Sequence, residues 1–344
     1  MSTTNRLEMT GTLDLQQFWP DGSSDADTTK LLLSVKPGST RIQLAGKKQF
    51  QATNAYDEAV YVTGKDKKTG LLQTKPLVNK NIIKIRLQRI DAPELHYRPD
   101  TRGSDGTLKK TGLVKEYRQN QAETAVVKLA KYLKSFGSNT LDCTFTSELK
   151  KDDGPGAAVD KYGRFVGDVI LKDGTNLNLW LLEQGLAVIA LYDSMLPQEI
   201  DESVAAWQTG RKARGSIAKH YSSTFGVFDP ALVVRPKGSP VQSEGTRKFI
   251  HPKFYRRLTT WWAFEQAQIF KGDFSDWLTD KAESCWYLPE FREMNKKAQK
   301  YLLYDRDFDG DGVGWEPEDF IFAESPSSIQ NVNTAGELVK ITRW

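Results

Sequence analysis

The segment Ile82 to Glu94, IIKIRLQRIDAPE, constrains the fold more than any other. Its alternation of Ile and Leu with Lys84 and Arg86 has the two-residue period of a strand with one buried face. Ile85 and Leu87 are then expected in a core, with Arg86 on the opposite side. The strand does not end in ordinary turn residues. It ends in Asp91 and Glu94 around Pro93, and burying carboxylates beside an arginine is costly unless each charge is matched. Pro93 has no N–H to offer a ladder, so it ends the strand and lets Glu94 turn back toward the face of Arg86.

The chain around this strand reads as mixed α and β. TKLLLSVKPG (residues 29–38) is a second strand stopped by Pro37-Gly38, and TLDCTFTSE and RFVGDVIL are two more. Ala125, Val126, Leu129 and Leu133 repeat at helical spacing. TNLNLWLLEQGLA forms a helix stopped at Gly185, and PQEIDESVAAWQTGRKARGSI a third whose Lys and Arg gather at its C-terminal end. Insertions are expected near 36–80 and 96–118, a Pro- and Gly-rich linker over 226–248, and a smaller, mainly helical unit over 249–344.

Composition removes several classes of function. Three histidines, His96, His220 and His251, lie far apart, so His-based metal sites and histidine-activated nucleophiles have little to draw on. Two cysteines, Cys143 and Cys285, make neither a disulfide framework nor a four-ligand zinc site. Hydrolytic chemistry is left to carboxylates, arginines and a metal. The net charge of +4 is unevenly spread: residues after 221 hold 16 Lys/Arg against 18 Asp/Glu, leaving 32 against 26 before them. The basic excess lies in the first two thirds, where an anionic partner would bind. No run of 18 apolar residues and no signal-like N-terminus occurs, so the expected setting is away from membranes, either cytoplasmic or reached by a leaderless route.

Three separated pieces, DADTTKLLL (25–33), RLQRIDAPE (86–94) and VDKYGRFVGDVI (159–170), together resemble the staphylococcal nuclease (thermonuclease) family. Their order is that of the family, and the resemblance covers most of residues 10–220. The resemblance implies a domain over 1–225 built as an OB-fold-like five-stranded β-barrel with three helices, α+β in class. It also implies a Ca²⁺-dependent, sugar-nonspecific endonuclease that hydrolyses DNA and RNA and leaves 3′-phosphate ends. Carried over by position, Asp27 and Asp91 would hold the metal, Glu94 would be the general base, and Arg86 and Arg164 would grip the phosphate. Elementary chemistry agrees: guanidiniums and a hard cation neutralise charge on phosphoryl oxygens, and Ca²⁺ prefers oxygen ligands. Ala92 stands where threonine is usual, Ala26 replaces a turn glycine, and Leu191, with Tyr192 next to it, stands where a base-proximal tyrosine is expected.

Each piece has a plainer reading. Arg86 with Asp91 alone is an ion pair, DKYGR alone is a turn, and Asp27 alone is a cap. Lys109 and Lys110 read first as a solvated charged loop, and Trp261, Trp262, Trp277 and Trp286 as helix core. The run RKFIHPKFYRR (247–257) is basic and aromatic together, a pattern that suits a nucleic-acid or protein contact. Near the C-terminus, DFDGDGVGWEPE sets Asp307, Asp309 and Asp311 at alternate positions before Gly312, as in an EF-hand loop closed by Glu318. It resembles the shorter excalibur-type loop as well, in which Glu316 would close the site. The rival to an enzyme is a noncatalytic module that keeps the nuclease-like fold to bind nucleic acid or protein.

Overall fold

The computed structural model describes the chain apart from residues 1–3, 18–23, 35–40, 45–47, 52–58, 66–71, 100–115, 151–152, 222–233, 237–248, 267, 282, 303–314, 325–328, 334, 336 and 342–344. Five strands close a barrel: β1 (Thr4–Asp14), β2 (Thr28–Leu33), β3 (Ile82–Leu87), β4 (Thr140–Lys150) and β5 (Phe165–Leu171). Antiparallel pairs run β4 to β5, β3 to β2, β2 to β1 and β1 back to β4, while β3 and β5 lie parallel. The closing pair is the longest, running without a break from Thr4 opposite Lys150 to Asp14 opposite Thr140. Closure leaves no open edge among these five, and their inner faces fill with Leu7, Leu13, Leu31, Ile83, Ile85, Phe145, Phe165 and Val169.

The period read in the sequence governs β3: Ile83, Ile85 and Leu87 are buried, Lys84 is exposed and Arg86 is half-buried on the other face. Gly167 lets β5 pass close to β4, since a Cβ there would lie 2.1 Å from the Thr146 carbonyl oxygen.

Three helices lean on the barrel. In α1 (Ala122–Lys134) the stripe Ala125, Val126, Leu129 and Leu133 is buried as its spacing requires. Asn176 caps α2 (Leu177–Glu183) by accepting the N–H groups of Asn178 and Leu179. A proline opens the first turn of α3 (Pro197–Lys212).

The C-terminal segment carries α4 (Pro252–Gln266), α5 (Phe274–Lys281) and α6 (Leu288–Met294), and short strands as well. Phe320–Phe322 runs parallel to Leu191–Tyr192, and Val234–Pro236, inside the stretch expected as a linker, pairs with Tyr117–Gln119. Gln330 pairs with Val60, in the expected insertion. These pairings cross the division drawn from sequence between a barrel unit and a helical unit. Helical patterning carries no information about such short strands, whose partners lie more than a hundred residues away. Trp277 and Trp286 are buried and Trp261 and Trp262 half-buried, in keeping with a packing role. No helix among the described residues is long and apolar enough to cross a membrane.

Candidate active site

A cleft of about 520 Å³ opens over the end of β3, lined by Asp25, Asp27, Thr28, Lys84, Arg86, Glu94, Lys161, Tyr162, Arg164, Lys253, Arg256 and Arg257. Two turns build its acidic floor. The turn before β2 is stapled to the one after β3, because Asp25 Oδ1 accepts the Leu95 N–H at 2.6 Å and Asp27 Oδ2 accepts the Ala92 N–H at 3.3 Å. Ala26 between the two aspartates is buried, so the alanine that replaces a turn glycine is spent on packing. The residues after Pro93 are fixed in turn: Gln119 donates its N–H to the Glu94 carbonyl (2.7 Å) and accepts the Glu94 N–H on its side-chain oxygen (3.2 Å).

Of the five residues carried over from the resemblance, Asp27, Arg86, Glu94 and Arg164 line this cleft, and Asp91 is fully buried behind them, in contact with Arg86. Arg86 Nη2 lies 3.2 Å from Asp91 Oδ1 and 3.7 Å from Asp27 Oδ2, so the two aspartates flank one guanidinium nitrogen. Arg164 is held by Asp160, at 2.8 Å from Nε and 2.7 Å from Nη2, and donates through Nη1 to the Thr28 hydroxyl at 3.1 Å. That hydroxyl donates onward to Asp27 Oδ1 at 3.0 Å, linking the second arginine to the first aspartate. Leu191 is fully buried in its strand, while Tyr192 lies half-buried beside Lys253.

Sequence reasoning did not single out Arg256. From α4 it reaches Asp91 with both amino groups, at 2.8 Å from Oδ2 and 3.1 Å from Oδ1, and Nη1 also touches Glu94 Oε1. The signal was the YRR of the basic-aromatic run, whose destination only the tertiary fold reveals. Asp25, Lys84 and Lys253 were likewise unassigned, and all three line the cleft.

Crowding of charge in a dry place sets the titration of these groups. Burial, then Asp27, raises the Asp25 carboxyl to about 6. Burial pushes Glu94 up to about 8, with Arg256 opposing the rise and Asp25, Asp91 and Asp27 adding to it. Burial would raise Asp91 too, but the guanidiniums of Arg256 and Arg86 overcome it and hold that carboxyl well below the usual range. His251 Nδ1 accepts the Lys253 N–H at 3.1 Å, which leaves Nε2–H to donate to the Ile189 carbonyl at 3.2 Å. Its ring is therefore neutral, and burial lowers it to about 4.

With an arginine pair, a strong carboxylate and a perturbed carboxyl over one cleft, the arrangement is equipped to bind and polarise a phosphodiester. Residues 84–218 match the family model described as staphylococcal nuclease homologue. No curated protein matches the chain. The chain therefore carries a nuclease-like domain whose matched part holds Arg86, Asp91, Glu94 and Arg164. Asp27 and the strands β1 and β2 that complete the barrel precede the matched part, and Lys253, Arg256 and Arg257 follow it.

Among the described residues no group of three or more His, Cys, Asp or Glu side chains is disposed to hold a metal ion. The carboxylates nevertheless suit a hard cation in kind: Asp27 and Asp91 present oxygens on either side of one point, which Arg86 shares. Arg256 competes for the Asp91 oxygens. In the C-terminal loop, Asp307, Asp309 and Asp311 lie outside the described residues, as do Lys109 and Lys110. Glu316 and Glu318 stand apart from the cleft, at the short helical turn Pro317–Asp319 that contacts α3: Arg211 Nη1 is 3.1 Å from Glu316 Oε2 and 3.6 Å from Glu318 Oε1, and the Trp207 indole donates to Glu318 Oε2 at 2.6 Å.

Proposed function

We propose that the chain is a Ca²⁺-dependent, sugar-nonspecific endonuclease that cleaves DNA and RNA to 3′-phosphate ends. The observation that carries this reading is that Arg86, Arg164, Asp27 and Glu94 line one cleft of a nuclease-like domain, with Asp91 buried behind them against Arg86. Asp27 and Asp91 are the residues that would hold Ca²⁺. When bound, the cation adds positive charge beside the phosphoryl oxygens.

The chain's own groups supply the remainder. A water attacks phosphorus opposite the 5′ oxygen, its proton passes to the Glu94 carboxylate, and the P–O5′ bond breaks, the departing 5′ oxygen taking a proton from solvent, to leave a 3′-phosphate and a 5′-hydroxyl. The rise in the Glu94 carboxyl makes it a stronger base once ionised, and Arg256 beside it favours that ionised form. Arg86 and Arg164 donate to the equatorial oxygens as charge builds on them, and Asp160 fixes the Arg164 fork beforehand.

One observation favours the noncatalytic reading: Arg256 engages both oxygens of Asp91 and touches Glu94, the groups the reaction needs free. Digestion of plasmid and single-stranded DNA in Ca²⁺, Mg²⁺ or chelator, beside a Glu94→Gln, Arg164→Ala double variant, separates the two. Calcium-dependent cleavage lost in the variant is the expected result. Binding without cleavage in any metal would leave a binding module. The acidic C-terminal loop is proposed as a second, structural Ca²⁺ site through Asp307, Asp309 and Asp311, closed by Glu316 or Glu318.

A further inference from the structure

The cations of the cleft differ in how far their charge is already matched. Arg86 faces Asp27 and Asp91, Arg164 is held by Asp160, Arg256 by Asp91 and Glu94, and Arg257 by Glu283. Lys84 and Lys161 pair with no carboxylate among the described residues either, but both are exposed to solvent. Lys253 differs in being partly buried. Its ammonium makes no hydrogen bond and no ion pair among the described residues, and sits 4.3 Å above the centre of the Phe322 ring, with Tyr192 at 5.9 Å. A cation on an aromatic floor gains from the ring faces but loses much of its hydration. Burial, with Arg257 and then Arg256 adding, lowers its pKa to about 7, against the opposing pull of Glu283. An anion entering the cleft would meet an ammonium that no carboxylate among the described residues pairs with, and would favour its charged form against the cost of burial.

Lys253 is also held in place. Its backbone N–H donates to His251 Nδ1, and Arg257 Nη1 donates to its carbonyl oxygen at 2.6 Å. His251 in turn is tied to Ile189, in the short strand where Val188 pairs with Asp91. The first turn of α4 is thus fixed to the strand end that carries the acidic floor, and Lys253 lines the same cleft as Arg86 and Arg164.

We propose that Lys253 forms a phosphate subsite on the α4 wall of the cleft, so that a nucleic-acid strand is gripped between the barrel arginines and the C-terminal segment. The ligand is the phosphodiester backbone, read by charge and not by base. This rests on the nuclease reading for the identity of the strand, but it assigns backbone binding to a residue outside the matched part of the domain. It also gives the basic-aromatic run 247–257 a specific task.

The test uses the full chain in chelator, with a fluorescent single-stranded oligodeoxynucleotide of about ten nucleotides, followed by anisotropy over a range of salt. Lys253→Ala and Lys253→Met, the latter keeping the packed stem, should both weaken binding about tenfold and lower the salt slope by about 0.7, the loss of one phosphate contact. Lys253→Arg should retain both. Lys172→Ala removes the same unit of charge from an exposed site paired with Asp142 and absent from the cleft lining, and should leave the slope unchanged. Unchanged affinity and slope in the Lys253 variants, tighter binding in them, or no binding by the wild type would each overturn the proposal. Cleavage in Ca²⁺ is scored on the same proteins. Lys253-dependent binding without cleavage would sink the nuclease reading alone, and cleavage without Lys253-dependent binding would sink the subsite alone.

Discussion

Two buried arginine–carboxylate clusters start from the nine residues RLQRIDAPE, one at Arg86 and one at Arg89, and they are built to different ends. Arg89, with φ 73°, turns inward after β3 and meets Asp168 at 2.8 Å, Glu202 at 2.9 Å and Glu199 at 3.5 Å. Asn176 and Asn178 donate to the Asp168 oxygens, and the Glu199 carbonyl accepts from Arg89 as well. Every group in this cluster is answered, and all of it falls within residues 84–218. The Arg86 cluster faces a cleft, and its members come from before, within and after that span. A clip that only holds β3, β5 and α3 together can be complete in itself. The cleft proposed to receive an anion is left with cations to spare: Lys84 and Lys161 from the matched part and Lys253 from the flanking chain pair with no carboxylate among the described residues.

That contrast is broken most forcefully by exchanging the two arginines' fates. Arg89→Ala strands Asp168 and Glu199 in the interior and should cost about 3–5 kcal/mol of stability, measured by urea denaturation. Arg86→Ala should leave the denaturation midpoint nearly in place and lower turnover about 10²–10³-fold, as loss of a transition-state donor does. If Arg86→Ala unfolds the chain while Arg89→Ala only slows it, the assignment of clip and site is reversed.

A smaller effect sharpens the comparison through pH. Burial raises Glu199 to about 7, against the pull of Arg89, from an ordinary value of 4.5. The folded chain then binds more protons at this site than the unfolded chain, so its contribution favours folding at low pH. That contribution declines as pH rises from about 4.5 to about 7, by on the order of 3 kcal/mol. Glu199→Gln should flatten the stability profile over this window. A wild-type profile that rises there, with the variant unchanged from it, would place an ionised Glu199 firmly in the clip.

The sequence made much of this legible, for reasons that can be traced. Alternation in IIKIRL decided which side chains of β3 enter the core, because a strand has only two faces. The helical stripe of α1 was equally direct. Arg89 was not legible: alternation puts it on the buried face of Ile85 and Leu87, where a charge needs partners, and those partners, Asp168 and Glu202, lie 79 and 113 residues away. Arg256 was hidden for another reason. It lies 165 residues from Asp91, and no local period encodes that contact. The short strands Leu191–Tyr192 and Phe320–Phe322, which help carry α4 to the barrel, are too brief to announce themselves by alternation.

The smallest expected effect bears on what Arg256 does to the acidic floor. Its guanidinium takes both Asp91 oxygens, and the proposed Ca²⁺ would need at least one of them. Two cations competing for one carboxylate should be linked: removing the internal one leaves Asp27, Asp91 and Glu94 with Arg86 as their remaining close guanidinium, and raises the appetite of the set for the other. Arg256→Gln should therefore tighten Ca²⁺ binding, followed by calorimetric titration without nucleic acid, by about tenfold, equivalent to about 1.4 kcal/mol. Tightening would make α4 a built-in competitor that metal must displace, in contrast to the Arg89 clip, which nothing displaces. Unchanged affinity would mean that Arg256 and the cation do not share Asp91, and that the two clusters are more alike than their settings suggest. Weaker affinity would show Arg256 positioning the carboxylates for the metal.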